Sequence, residues 1–256
     1  MIVQSAADGA AHFVIAMRQH TAFAGSLARN FGNDTFVGLS PQEPMQFIVD
    51  HHDQGWVELD AEAPQNPATG LPYNLTATPL PQIVSTSAGS PAFNAEHHPF
   101  SGLISSMHTY GLYNGRYGLT DKIFLDMIPD ELRASVDEKL AEASNPEQVS
   151  DEFTFHAYKQ LQFFDTLSLH LHLNPAGSRG DTEFPNVPCS IGDDVVVSLV
   201  EHDDGVYALD PYPFAVDGLD VFTEGRYLVP QPAGTDLGAL LADTEISVQH
   251  VRLIAA

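Results

Sequence analysis

Residues 40–56 read SPQEPMQFIVDHHDQGW, and this stretch decides the fold expected of the chain. Ser40 and Glu43 have the spacing of a capping box, in which two side chains serve backbone N–H groups at a helix start, and Pro41 takes the first helical position. Met45, Ile48, Val49, His52 and Trp56 then recur at intervals that line them along one helix face. His52 falls near the centre of that face, with Asp53 on one edge and His51 on the other. An apolar face meets a core, so His52 is expected to point inward, whereas His51 lies about 100° away around the helix.

Working outward, a helix over about Met17 to Asn30 carries Phe23, Ala24, Leu27 and Phe31 as its apolar stripe, with His20 on the same face. Ala61 to Glu96 is rich in proline and poor in charge. It reads as a long loop that folds over a site. A helix from about Pro99 to Leu112 turns Phe100, Leu103, Ile104 and Met107 inward, with His108 beside them. Further helices are expected over Pro129 to Ala143 and Glu147 to Leu169, and on the second Asp165 lies among Tyr158, Leu161 and Leu169.

The ends of the chain read differently. MIVQ and HFVIA near the start form a short β segment around the Ala7–Gly9 turn. VVVSLVEHDDGVYALD reads as one hairpin, and DVFTEGRYLV as a second that turns at Glu224-Gly225. The expected fold is therefore mainly α. Residues 1–173 form a helical core with a short N-terminal β start, and residues 174–256 form a β-rich segment packed on it.

Composition narrows the function. The 256 residues hold 34 acidic side chains against 10 basic ones, a net charge of −24. Nucleic-acid binding requires a basic footprint, so that class is excluded, and an anionic membrane surface would repel the chain. No apolar run reaches the ~20 residues of a membrane span. The N-terminus lacks a signal-peptide pattern, and the single cysteine, Cys189, lies among prolines and cannot form an internal disulfide. Cytoplasm is the expected compartment, and a small molecule the expected partner.

Four expected helices each place a metal-capable residue on or beside a core-facing surface: His20, His52 with Asp53, His108 and Asp165. An isolated buried carboxylate is costly unless it is paired or bound to a cation. Three imidazoles and two carboxylates meeting in a helical core suit one or two ions of iron, manganese or zinc. His202-Asp203 repeats the dipeptide, but there turn chemistry explains the aspartate. His170 and His172 would share a side on a strand and diverge on a helix. No phosphate-cradling glycine loop or nucleophile elbow is present.

The order His20, His52-Asp53, His108, Asp165 resembles the HD-domain superfamily of helical metalloenzymes, mostly phosphohydrolases with a minority of di-iron oxygenases. More narrowly, RQHTAFAGSLARNFG, HHDQGWVELDAEAPQNPATGLPYN, HPFSGLISSMHTYGLYNGRYG, LQFFDTLSLHL and LDPYPF resemble an uncharacterised bacterial family, domain of unknown function 3891. The resemblance implies an HD-domain-like helical core and a metal-dependent hydrolase of a small molecule, with His52 and Asp53 in the chemistry. It also implies a further histidine ligand in dinuclear forms, for which His97 and His98 are the candidates. Many HD hydrolases carry a phosphate-holding lysine where this chain has Trp56. That departure favours a pocket walled by Trp56, with a small neutral or cationic substrate, as in the oxygenases. Arg18, Arg116 and Lys159 remain as partners for phosphate. A binding module that uses metal only for stability is the non-enzymatic alternative.

Overall fold

Strand β1, Ile2–Val3, pairs antiparallel with β2, His12–Ile15, which pairs in turn with β6, Leu219–Leu228, near the other end of the chain. The computed structural model describes residues 1–7, 9–119, 152–202 and 205–256, without the side chain of Asn114. Four more strands complete a seven-stranded sheet: β3, Thr182–Ser190; β4, Asp193–Glu201; β5, Val206–Asp210; and β7, Ser247–Ala255. The order is β1-β2-β6-β7-β5-β4-β3, antiparallel except at β5–β7, and the sheet curls into a half-barrel.

The helices are α1, Met17–Arg29; α2, Gln42–His51; α3, Val57–Glu62; α4, Leu80–His97; α5, Pro99–Asn114; α6, Glu152–Leu173; and α7, Leu237–Asp243. Helix α6 packs on α1, α2, α5 and β3, and apolar residues bury nearly its whole circumference. One core joins helices and sheet, taking Leu27, Ile48, Met107 and Phe164 from the helices and Leu199, Tyr207, Val251 and Leu253 from the strands. No helix among the described residues is long and apolar enough to cross a membrane.

This architecture corrects the mainly-α, HD-like expectation: the structure is 46% helical and 24% strand, with a mixed sheet as one wall of the core. Alternation along a strand predicts that a strand exists but not which distant strand it joins, and here the two ends of the chain meet. Local corrections follow. The capping box does not form, because Pro41 itself is the extended residue before α2 and leaves Ser40 outside the helix.

The expected second hairpin is a single strand. Gly225 lies within β6 because a Cβ there would collide with the Phe13 ring on β2, so this glycine permits strand contact rather than a turn. The expected loop at 61–96 contains an 18-residue helix, α4. Pro91 inside it lacks the N–H that Ser87 O would accept, and Thr109 Oγ1 of α5 donates to that carbonyl instead, at 3.2 Å. Proline, glycine and serine argued against a helix, and packing on α5 overrides them. The helix expected over 129–143 and the start of the one expected from Glu147 lie outside the described residues.

Candidate metal centre

The five residues of the centre arrive from four places in the chain, His52 and Asp53 being adjacent. His20 stands on the inner face of α1, fully buried. The start of α1 has no cap of its own; Asp60 of α3 accepts a hydrogen bond from Met17 N at 2.5 Å. Helix α2 stops at His51, whose carbonyl oxygen accepts from Asn94 Nδ2 of α4 at 3.1 Å. His52 therefore ends the helix rather than sitting within it, and Asp53 leaves helical geometry at φ −106°. The following turn, Gln54–Trp56, is pressed against α4. A Cβ on Gly55 would collide with the Thr86 carbonyl oxygen, and Gly55 N donates to Ser90 Oγ at 3.0 Å. His108 comes from α5 and Asp165 from the middle of α6; they are 2% exposed each.

These five residues meet. His20 Nε2 lies 3.2 Å from Asp165 Oδ1 and 3.3 Å from His52 Nε2. His52 Nε2 is 3.5 Å from the same Asp165 oxygen and 3.7 Å from Asp53 Oδ2. His20 and Asp53 are 3.9 Å apart. Two groups result, His20–His52–Asp165 and His52–Asp53–His108, with donor atoms in each within 4.8 Å of one another. Donors about 2.1 Å from one ion stand roughly 3.0–3.4 Å apart when adjacent, so the closer spacings suit an ion held between them.

The outer partners set the imidazole tautomers. His52 Nδ1 donates to Val49 O at 2.9 Å, which leaves Nε2 as the lone-pair atom of the neutral ring. Ser168 donates to the His20 carbonyl, so its Oγ accepts from His20 Nδ1 at 2.8 Å, and His20 Nε2 also faces the centre as a lone pair. His108 Nδ1 meets the Gln162 side-chain amide at 2.8 Å. With the amide turned so that Oε1, otherwise without a hydrogen bond, accepts from Nδ1–H, the Nε2 lone pair is left for the centre.

The electrostatics are uneven. Burial opposes charge on His52, but Asp53 and Asp165 beside it raise its pKa to about 9. Burial pushes His108 down to about 3 against the pull of Asp165. Burial raises Asp53 above the usual carboxylate range despite its two histidine neighbours. Asp165 is held well below that range: burial works the other way, but when protons on Nε2 stand in place of an ion, hydrogen bonds from His20 and His52 outweigh it.

Beside the centre lies a cavity of about 190 Å³, bordered by Asp53, His108 and Asp165 at one end and walled by Trp56, Ile83 and Leu169. Arg116 also borders it, 3.5 Å from Asp165 Oδ2. Arg18 points to solvent from the outer side of α1, away from the centre. His98 caps the start of α5 by accepting from Phe100 N, and His97 bonds Glu43 and stacks on Phe47; neither joins the cluster. His51 likewise bonds Phe47 O and stacks on that ring. Lys159 pairs with Asp194, and Cys189 donates to Asp193 O.

The family model described as Protein of unknown function (DUF3891) matches residues 1–230. The chain belongs to the DUF3891 family. No curated protein and no solved structure matches it. The span shared with DUF3891 includes all five clustered residues, Trp56 and Arg116, and the family description carries no reaction.

Sequence reasoning missed Asn94, Gln162 and Ser168 in the second layer of this DUF3891 centre, and it left His172 open between a strand and a helix reading. His172 is buried against Phe23, with Nε2 2.7 Å from Thr223 Oγ1 and Nδ1 3.3 Å from Ser168 Oγ. A signal existed. Tyr158, Gln162, Asp165, Ser168 and His172 recur at three- and four-residue steps, a polar stripe along an otherwise apolar helix.

Proposed function

We propose that this DUF3891 protein is a metal-dependent hydrolase of a small molecule, with His20, His52, Asp53, His108 and Asp165 as the ligand set for one divalent ion of zinc, manganese or iron. The observation that carries the reading is the pair of Nε2 atoms of His20 and His52, 3.3 Å apart, both within 3.5 Å of one Asp165 oxygen. Facing lone pairs repel unless a cation or a proton lies between them. Two carboxylates beside three buried imidazoles make that cation favourable. The two groups share His52, whose Nε2 can hold only one ion because its Nδ1 is bonded to Val49 O, so the five donors are read as one set.

A divalent ion supplies Lewis acidity there and brings the pKa of water toward neutrality. Asp53 borders the cavity, where its carboxylate can take a proton from water and return it to a leaving group. The apolar walls orient substrate and exclude bulk water. A second reading is an iron oxygenase. His20, His52 and Asp165 supply the two imidazoles and one carboxylate that non-haem iron oxygenases use, and the apolar cavity favours it.

Metal analysis of protein purified without chelator tests both. One zinc or manganese per chain, with hydrolysis of an ester, amide and phosphate-ester panel that disappears in Asp53→Asn, supports the hydrolase. One iron with oxygen consumption supports the oxygenase. His52→Ala should lose most of the metal and His51→Ala should keep it; stoichiometric metal in His52→Ala, or none in the native protein, overturns the site.

A further inference from the structure

The cavity beside the centre has a cation in its wall. Arg116 is the only arginine or lysine among the described residues that border it. Its guanidinium, 18% exposed, makes one ion contact among the described residues, to Asp165 Oδ2 at 3.5 Å, too long for a hydrogen bond. Among the described residues its donor fork therefore has no hydrogen-bond partner in the cavity wall. Asp165 Oδ2 is itself buried without a hydrogen-bond partner among the described residues, so the pair is close but not closed.

The backbone that presents this arginine is unusual. Arg116 and Tyr117 follow Gly115 in left-handed conformation, at φ 51° and 57°. Side chains disfavour that region, and such a turn persists only where its surroundings hold it. Here Tyr117 is gripped by the rings of Tyr110, Phe155 and Tyr158, at centroid distances of 5.8, 6.3 and 5.3 Å. The turn aims Arg116 into the same space that Asp53, His108 and Asp165 border.

The geometry points to a substrate that bears one carboxylate: Arg116 binds that carboxylate, and the cavity takes a short branched or cyclic apolar body. This rests on the metal-centre reading above. A divalent ion balances Asp53 and Asp165, and Arg116 then leaves the cavity with a single net positive charge, which one carboxylate neutralises. Trp56 in place of a lysine argued for a neutral or cationic substrate, but the local field of a small cavity is set by all the groups that border it, Arg116 included. A carboxylate matches one planar fork in bidentate fashion, whereas a phosphate needs more donors than this wall offers. The volume of about 190 Å³ compares with the ~150 Å³ of a cavity that admits benzene, the size of a compact acid and not of a nucleotide.

Trp56 is the only tryptophan in the chain and forms part of the wall, so its fluorescence reports entry. Zinc-loaded protein, with zinc content measured first, is titrated with 3-methylbutanoate, 3-methylbutanamide and inorganic phosphate. The expected result is saturable binding of the carboxylate. The amide and phosphate should each bind roughly 10- to 100-fold more weakly. Arg116→Gln should erase the preference for carboxylate over amide, and Arg116→Lys should restore part of it at unchanged zinc content. Equal binding of carboxylate and amide, phosphate binding as tight as carboxylate, or a preference that survives Arg116→Gln overturns this inference while zinc binding stands. Absence of stoichiometric zinc overturns the metal centre instead.

Discussion

His52 and His108 are buried to nearly the same degree, 1% and 2% exposed, and sit in one cluster, yet their basicities move in opposite directions. On the α1–α2 side, His52 lies between two carboxylates and its pKa rises to about 9. On the α5–α6 side, His108 is farther from compensating charge, and its pKa falls to about 3. Desolvation acts on both rings, so proximity to Asp53 and Asp165 decides the sign. The difference locates the strongest demand for positive charge at His52, the residue common to both ligand groups.

Removing the carboxylate that touches both sides should have the largest effect. Asp165→Asn is expected to abolish stoichiometric metal and destabilise the metal-free fold by about 3–5 kcal/mol, because it strips a buried charge from its imidazole partners. Elemental analysis and denaturant unfolding measure this, and an Asp165→Asn protein that retains full metal would end the reading of the centre.

Acidity should expose the two sides separately in protein stripped of metal by chelator. His52, raised from 6.5 to about 9, contributes stability that is complete below pH 6.5 and lost as pH rises through 9. His108, lowered from 6.5 to about 3, acts in the opposite sense: the unfolded chain takes up the proton first, so stability falls as pH drops below 6.5. Melting temperature should therefore peak near pH 6.5, with roughly 3 kcal/mol lost from His52 toward pH 9 and about 5 kcal/mol lost from His108 toward pH 3. Metal loading should remove the alkaline loss, because the ion then occupies the place of the His52 proton. An alkaline limb of equal slope with and without metal would show that His52 is not a ligand.

The smallest change should act through the turn that carries Asp53. Gly55→Ala forces a methyl into the Thr86 carbonyl and should cost about 1–3 kcal/mol while weakening metal binding through displaced Asp53. Gly225→Ala, which collides with Phe13 in the sheet, should lower stability by a similar amount and leave metal affinity unchanged. Isothermal titration with zinc distinguishes them, and equal affinity loss in both would mean that the turn does not position the site.

Much of the centre was legible because a buried charge disturbs a pattern. His20, His52, His108 and Asp165 each interrupt or border an apolar helical stripe, and periodicity reports that without any knowledge of neighbours. Arg18 and Arg116 looked alike as isolated cations. Only the left-handed turn at Gly115–Tyr117, which no local preference of arginine or tyrosine favours, turns Arg116 toward the cavity, while Arg18 stays in solvent.

By itself, then, the sequence determined which residues had to be buried beside charge, where most strands and helices lie, and which family the chain joins. Tertiary structure alone decided that the terminal strands close one sheet, that a proline-bearing segment is helix α4, and that Gly55 and Gly225 serve close contacts. It also decided that Asn94, Gln162, Ser168 and His172 hold the clustered side chains and their elements in place. The reason is range: periodicity and capping are set by neighbours within a turn or two, whereas pairing, close approach and hydrogen-bond satisfaction depend on partners that only the folded chain brings together.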